Sequence, residues 1–211
     1  MPRAILFDVD GTLLDVVANQ QRVWNEWGRR HGLDPDWVYA EAVGTRPQET
    51  FEVVAPHLPP SRCLRILDEI EDEDVRVGDY HAFEGARELF RRLPSGATAL
   101  VTSNYERRVL ARFARVGLAA PAVVVDADAV TRGKPDPEGY LTAARRLGVE
   151  PVDCLVVEDG ATGMQAGRAA NMTVWSVNVG AALAVESGAQ RTFPSLAAAA
   201  GEIVAWQAAG G

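Results

Sequence analysis

The chain has 211 residues, 47% of them hydrophobic and 24% charged, an ordinary balance for a folded protein and one that excludes disorder over most of its length. Its 29 acidic side chains outnumber the 21 basic ones for a net charge of −8, which argues against a broad nucleic-acid surface or an anionic-membrane binder, since both need clustered cations. Cys63 and Cys154 stand far apart with no CxxC pair, which excludes a disulfide framework or a structural zinc site.

The first element is an apolar run, Ala4–Phe7, stopped by Asp8. It is too short for a signal-peptide core, and no apolar run approaches the ~20 residues of a membrane span, so a cytoplasmic protein is expected. Further buried strands are predicted over Ala97–Val101, Ala122–Val125, Cys154–Val157 and Met172–Val177. Continuous apolar runs suit strands covered on both faces, as in a parallel sheet. Helix-like stretches alternate with them at Arg87–Leu93, Arg107–Val116, Glu138–Leu147 and Gly163–Ala170, with Gly117 and Gly148 at the C-cap positions. Ser195 is placed to cap a last helix through Ala197–Trp206. This alternation predicts an α/β fold with a Rossmann-like, doubly wound parallel sheet.

Residues 16–80 break the pattern. No strand-like run occurs there. Val17, Gln20, Trp24 and Trp27 share a helical face, Leu64, Leu67 and Ile70 form another stripe, and Pro35, Pro47, Pro56, Pro59 and Pro60 divide the segment into short helices. We therefore expect a helical cap over 16–80, inserted into a core made of 1–15 and 81–211.

Ligands in open α/β sheets sit beyond the carboxyl ends of the strands. The first strand delivers Asp8-Val9-Asp10-Gly11-Thr12 there, the second Thr102-Ser103-Asn104, and the fourth Glu158-Asp159-Gly160, with the loop Arg132–Pro137 just upstream. Four carboxylates, a hydroxyl and Lys134, the sole lysine, converge on one edge. Carboxylates so close repel unless a cation joins them, and a hard ion such as Mg²⁺ takes one or two carboxylates together with substrate phosphate. Lysine and hydroxyl groups suit the remaining phosphate oxygens, and Gly11 allows a sharp turn whose amide can approach an oxyanion. The constellation reads as Mg²⁺-assisted phosphoryl transfer, in which one aspartate attacks phosphorus and the other moves a proton.

With these motifs in this order, the sequence resembles the haloacid dehalogenase superfamily and, within it, sugar and polyol phosphate phosphatases of the glycerol-phosphate and deoxyglucose-phosphate type, in the beta-phosphoglucomutase-like subfamily. The resemblance covers nearly the whole chain and includes the helical cap. It implies that Asp8 is the nucleophile forming an aspartyl-phosphate and that Asp10 is the general acid/base whose backbone carbonyl helps hold Mg²⁺. It also implies that Thr102 and Lys134 orient the phosphoryl group, assisted by Gly11, Ser103 and Asn104, and that Asp159 is a further metal ligand supported by Glu158 directly or through water. Trp24–Gly32 looks like the first cap helix of that group, and Gly44-Thr45-Arg46 like its substrate loop, with Arg46 read either as a substrate contact or as an ordinary solvated arginine. Phe83-Glu84-Gly85-Ala86 and Asp15-Val16 depart from the usual hinge sequences.

The presence of Asp10 disfavours dehalogenation, and the absence of a second lysine excludes a Schiff-base phosphonate hydrolase. Related phosphoglucomutases carry histidine where this chain has Gln20, so a mutase stays as the alternative, beside a catalytically silent binding protein on the same fold. The expected partner is a small phosphate ester, with a monomer as the default state. Asp126 and Asp128 are read as loop and cap residues, His31, His57 and His81 as surface residues, and Trp24 and Trp27 as cap core.

Overall fold

A computed structural model describes residues 3–179, 186 and 188–210. In chain order the strands are β1 (Ala4–Phe7), β2 (Leu14–Asp15), β3 (His81–Ala82), β4 (Thr98–Val101), β5 (Val123–Val125), β6 (Cys154–Glu158), β7 (Thr173–Ser176) and β8 (Arg191–Thr192). The helices are α1 (Val17–Arg30), α2 (Pro35–Ala42), α3 (Pro47–Val54), α4 (Pro60–Val77), α5 (Ala86–Arg92), α6 (Glu106–Arg115), α7 (Glu138–Leu147), α8 (Ala161–Ala169) and α9 (Leu196–Ala208).

Six strands form one sheet in the order β5-β4-β1-β6-β7-β8, every neighbouring pair parallel. The apolar runs are continuous because alternate residues serve opposite faces. Ile5, Phe7, Leu100, Leu155 and Val157 pack under α5, α6 and α9, while Ala4, Leu6, Val101 and Val156 pack against Tyr140, Ala143 and Met164 of α7 and α8. All five predicted strands are present. β8 was not expected: Arg191–Thr192 is polar and exposed, and only its pairing with Trp175 and Ser176 makes it a strand. Gly117 and Gly148 close α6 and α7 with positive φ, and the Ser195 hydroxyl accepts from the Ala198 amide at the start of α9.

Helices α1–α4 lie between β2 and β3, two short antiparallel strands that carry the chain out of the sheet unit and back. Pro35, Pro47 and Pro60 occupy first positions of α2, α3 and α4, where a missing amide hydrogen costs nothing. The four helices enclose a core of their own containing Trp24, Trp27, Phe51, Leu67 and Ile70, with the Trp27 and Phe51 rings stacked at 5.2 Å. Among the described residues no helix is long and apolar enough to cross a membrane.

Candidate active site

β1 and β6 are neighbours, so the residues at their carboxyl ends meet. Asp8, Glu158 and Asp159 each offer an oxygen within 4.8 Å of the others'. Lys134, from the loop before α7, reaches between them, with its Nζ 2.6 Å from Asp8 Oδ1 and 2.6 Å from Glu158 Oε1. Glu158 is further fixed by the Tyr140 hydroxyl at 2.9 Å and by the amides of Asp159 and Gly160, each at 3.0 Å. The Thr12 hydroxyl donates to Asp159 Oδ1 at 3.0 Å. Two glycines make room for this cluster. A Cβ on Gly11, whose φ is +94°, would lie 2.1 Å from Asp159 Oδ2, and one on Gly163 would lie 1.5 Å from Glu158 Oε1.

The charges do not balance. Burial, with the nearby charge of Glu158, raises the Asp8 carboxyl well above its usual range despite the opposing ammonium of Lys134. Burial and Glu158 likewise push Asp159 up to about 7. Burial disfavours charge on Lys134, but Asp8 and Glu158 outweigh it and hold the ammonium well above its ordinary value. Asp8 Oδ2 is buried without a hydrogen-bond partner. An orphaned carboxylate oxygen beside Asp159 suits a hard divalent cation, which would take oxygen from Asp8 and Asp159. Both Glu158 oxygens are already occupied by donors, which suits a supporting role.

Asp10 lies two residues beyond Asp8 and faces another set of donors. Arg112 Nη1 contacts its two oxygens at 3.1 and 3.0 Å, Gln20 Nε2 donates to Oδ2 at 3.0 Å, and Asn104 Nδ2 reaches Oδ2 at 3.4 Å. Thr102 Oγ1 accepts from the Asn104 amide at 3.0 Å, which leaves its own hydroxyl hydrogen to donate elsewhere. A cavity of about 160 Å³ opens above these groups, lined on the sheet side by Asp8, Thr102, Ser103, Lys134 and Asp159 and on the helical side by Gln20, Trp24, Tyr39, Thr45 and Glu71.

The structure thus gathers Asp8, Asp10, Thr102, Ser103, Asn104, Lys134, Glu158 and Asp159 around one cavity. Two expectations need correction. Gly11 lines the same cavity, but its amide is not free for an oxyanion; it donates to the Leu14 carbonyl at 2.9 Å and closes the turn after β1. Arg46 does not line the cavity. Its guanidinium is taken by Glu49 at 2.6 Å and by the carbonyls of Val130 at 3.1 Å and Thr131 at 3.0 Å, so it fastens α3 to the loop before Lys134. Asp126 accepts from the amides of Glu106 and Ala129, as a capping residue does. Trp24 and Trp27 are buried in the helical core, and Trp24 also reaches the cavity.

Tyr140, Glu71 and Arg112 also belong to the site or its supports and were not expected from the sequence. Tyr140 carried no signal beyond a helical apolar face. The other two carried one: Arg108 and Arg112 stand four apart on α6, and α4 holds acids at Asp68, Glu71 and Asp72 with matching spacing. Complementary stripes on two amphipathic helices point to a shared face.

Comparison with known proteins agrees with this geometry. The chain is 36% identical over 179 residues to hexitol phosphatase A of Escherichia coli strain K12, covering 83% of each chain. It is 30% identical over 190 residues to a fructose-1-phosphate phosphatase of the same organism, covering 83% of this chain and 96% of the relative. A crystal structure of CbbY from Rhodobacter sphaeroides in complex with phosphate superposes with a TM-score of 0.80 at 25% identity, covering 94% of this chain and 96% of that one. Residues 2–171 match the haloacid dehalogenase-like hydrolases, and the chain belongs to that family.

Proposed function

We propose that this protein is a Mg²⁺-dependent phosphomonoester hydrolase that cleaves a small sugar or polyol phosphate through an aspartyl-phosphate on Asp8, with residues 16–80 acting as a cap over a core of 1–15 and 81–211. The observation that carries the proposal is the buried, unpartnered Asp8 Oδ2 beside Asp159, with Lys134 holding the other oxygen of the same carboxylate. Asp8 and Asp159, together with the Asp10 carbonyl, would hold Mg²⁺, and the ion would supply positive charge to the phosphoryl oxygens.

The chain's own groups divide the remaining work. Lys134, Thr102, Ser103 and Asn104 orient the phosphoryl group at the cavity floor. Asp8 forms a bond to phosphorus as the bond to the leaving oxygen breaks, and Asp10 provides the proton that oxygen needs. In the second step water attacks phosphorus, the Asp8–phosphorus bond breaks, and the water proton passes to Asp10.

The named relatives act on hexitol phosphates and fructose 1-phosphate, both rich in hydroxyls. The helical side of the cavity presents Gln20, Tyr39, Thr45 and Glu71 for such hydroxyls, with Val17, Trp24 and Val43 against the carbon chain.

Phosphate release from a panel of hexitol, fructose, glycerol and glycolate phosphates, with and without Mg²⁺, tests the proposal. We expect Mg²⁺-dependent release with the highest kcat/KM on a polyol or sugar phosphate, and a loss of about 10⁴-fold or more for Asp8→Asn. Isomerised sugar phosphate without net release would favour the mutase. No turnover and no Mg²⁺ binding would favour the silent protein.

A further inference from the structure

Arg108 and Arg112 stand one turn apart on α6, and both side chains are 1% exposed. A buried guanidinium is costly unless its donors are met, so their partners identify what holds them. Arg108 pairs with Asp68 and lies 2.9 Å from Glu71 Oε2, both on α4. Arg112 points two ways. Its Nη2 reaches Glu71 Oε2 at 3.4 Å, and its Nη1 contacts both oxygens of Asp10. Tyr80, just beyond α4, covers its face at 5.8 Å. Asp10 takes its other bonds from Gln20 on α1 and Asn104 after β4. The carboxylate of Asp10 is therefore held jointly by the sheet unit and the helical unit.

We infer that Arg112 is a positioning residue for Asp10, and that through Glu71 it ties the orientation of Asp10 to the seating of α4 on α6. This rests on the proposed role of Asp10 in proton transfer. A carboxylate on a short turn rotates freely unless its neighbours fix it, and a catalytic group needs placement within about 0.5 Å. With α4 seated, Arg112 is stretched between two anions and each limits its swing toward the other. With α4 lifted, Glu71 withdraws from Arg112 and Gln20 from Asp10, so two of the restraints on Asp10 go together.

Rapid mixing with 4-nitrophenyl phosphate and Mg²⁺ separates the two steps. Nitrophenolate leaves without needing a proton, so formation of the aspartyl-phosphate does not call on Asp10. Its breakdown does: the water oxygen bonds to phosphorus, the Asp8 oxygen departs, and a water proton moves to Asp10. We expect Arg112→Met to keep a rapid release of nitrophenolate equal to the enzyme present, followed by turnover slowed about 10²-fold. Glu71→Gln, which keeps Arg112 in place, should slow the same step about tenfold, and Arg112→Lys should recover part of the loss. Equal slowing of both steps in every variant, tracking the loss of folded protein by circular dichroism, would reduce Arg112 to a structural ion pair. Unchanged breakdown in Glu71→Gln would remove the link to α4. Wild-type enzyme that turns over without acid-trappable phosphoenzyme would overturn the parent mechanism and this inference with it.

Discussion

Two buried clusters of acids lie side by side in this molecule, and they are built on opposite principles. At the ends of β1 and β6, Asp8, Glu158 and Asp159 share one cation, Lys134. Between α4 and α6, Asp68, Glu71 and Asp10 meet Arg107, Arg108 and Arg112. The second cluster has as many cations as acids and fastens one helix to another, although burial still raises the Glu71 carboxyl above its ordinary value and the Nε atoms of Arg108 and Arg112 lack a hydrogen-bond partner. The first has a raised pKa at Asp8 and Asp159 and an unpartnered oxygen, the marks of a site organised around charge that arrives with a ligand. Asp10 belongs to the balanced cluster by its contacts and to the unbalanced one by its place in the chain.

The sharpest way to break the comparison is to remove the one cation of the unbalanced cluster. Lys134→Met leaves Asp8 and Glu158 facing each other in a buried setting. We expect a loss of about 3–5 kcal/mol in urea unfolding without divalent ions, together with loss of turnover. Adding Glu158→Gln should return part of the stability and none of the activity. A loss below about 1 kcal/mol would show that the carboxylates already share protons well enough to do without the lysine.

The unbalanced cluster was readable in the sequence and the balanced one only as complementary charge stripes on two helices, and the reason is topology rather than distance along the chain. Asp8, Thr102, Lys134 and Asp159 each follow an apolar run or precede a helix, so the topology of a parallel sheet alone brings them to one edge. The five main strands were legible for the same reason, whereas β8 exists only through tertiary pairing. The pairing of Glu71 with Arg112 depends on how α4 lies across α6, and no local pattern states a helix crossing. Arg46 shows the converse. Its segment fitted a substrate loop, but Glu49 one turn along α3 offered a closer anion, and the side chain turned to it and to Val130 and Thr131.

A gentler perturbation sharpens the comparison by supplying the missing charge. Mg²⁺ at about 100 times its Kd should stabilise the protein by about 2.7 kcal/mol. The pH dependence has a definite sign. Asp159 titrates near 7 in the folded protein, against an ordinary carboxylate value near 3.9 when unfolded. Between those values the folded state binds more protons, so its contribution to stability without metal falls as pH rises through the window. Melting curves at about pH 5 and pH 8 should show the metal-free wild type losing stability relative to Asp159→Asn over that range. Mg²⁺ should raise the melting temperature more at pH 8, because protons compete for the same oxygen at lower pH. A shift independent of pH would place the ion elsewhere.

The smallest expected effect tests the other half of the contrast, whether the balanced cluster owes its strength to the number of its ion pairs or to their burial. Arg107 and Arg108 are adjacent and share Asp68, but the Arg107 side chain is 50% exposed and that of Arg108 is 1% exposed. Arg107 also holds Asp72 at 2.9 Å, so by number of acidic partners the two are equals. An exposed pair gains little in water and is screened by salt, whereas a buried acid left without its cation cannot recover its hydration. Arg107→Ala should therefore cost about 0.2–1 kcal/mol, shrinking further between about 0.1 M and 1 M NaCl as the screening length falls from about 10 to 3 Å. Arg108→Met strands Glu71 beside a single arginine and should cost more, with little response to salt. Equal costs with equal salt dependence would mean that water reaches the whole α4–α6 face, and Arg112 could not then hold Asp10 rigidly from it.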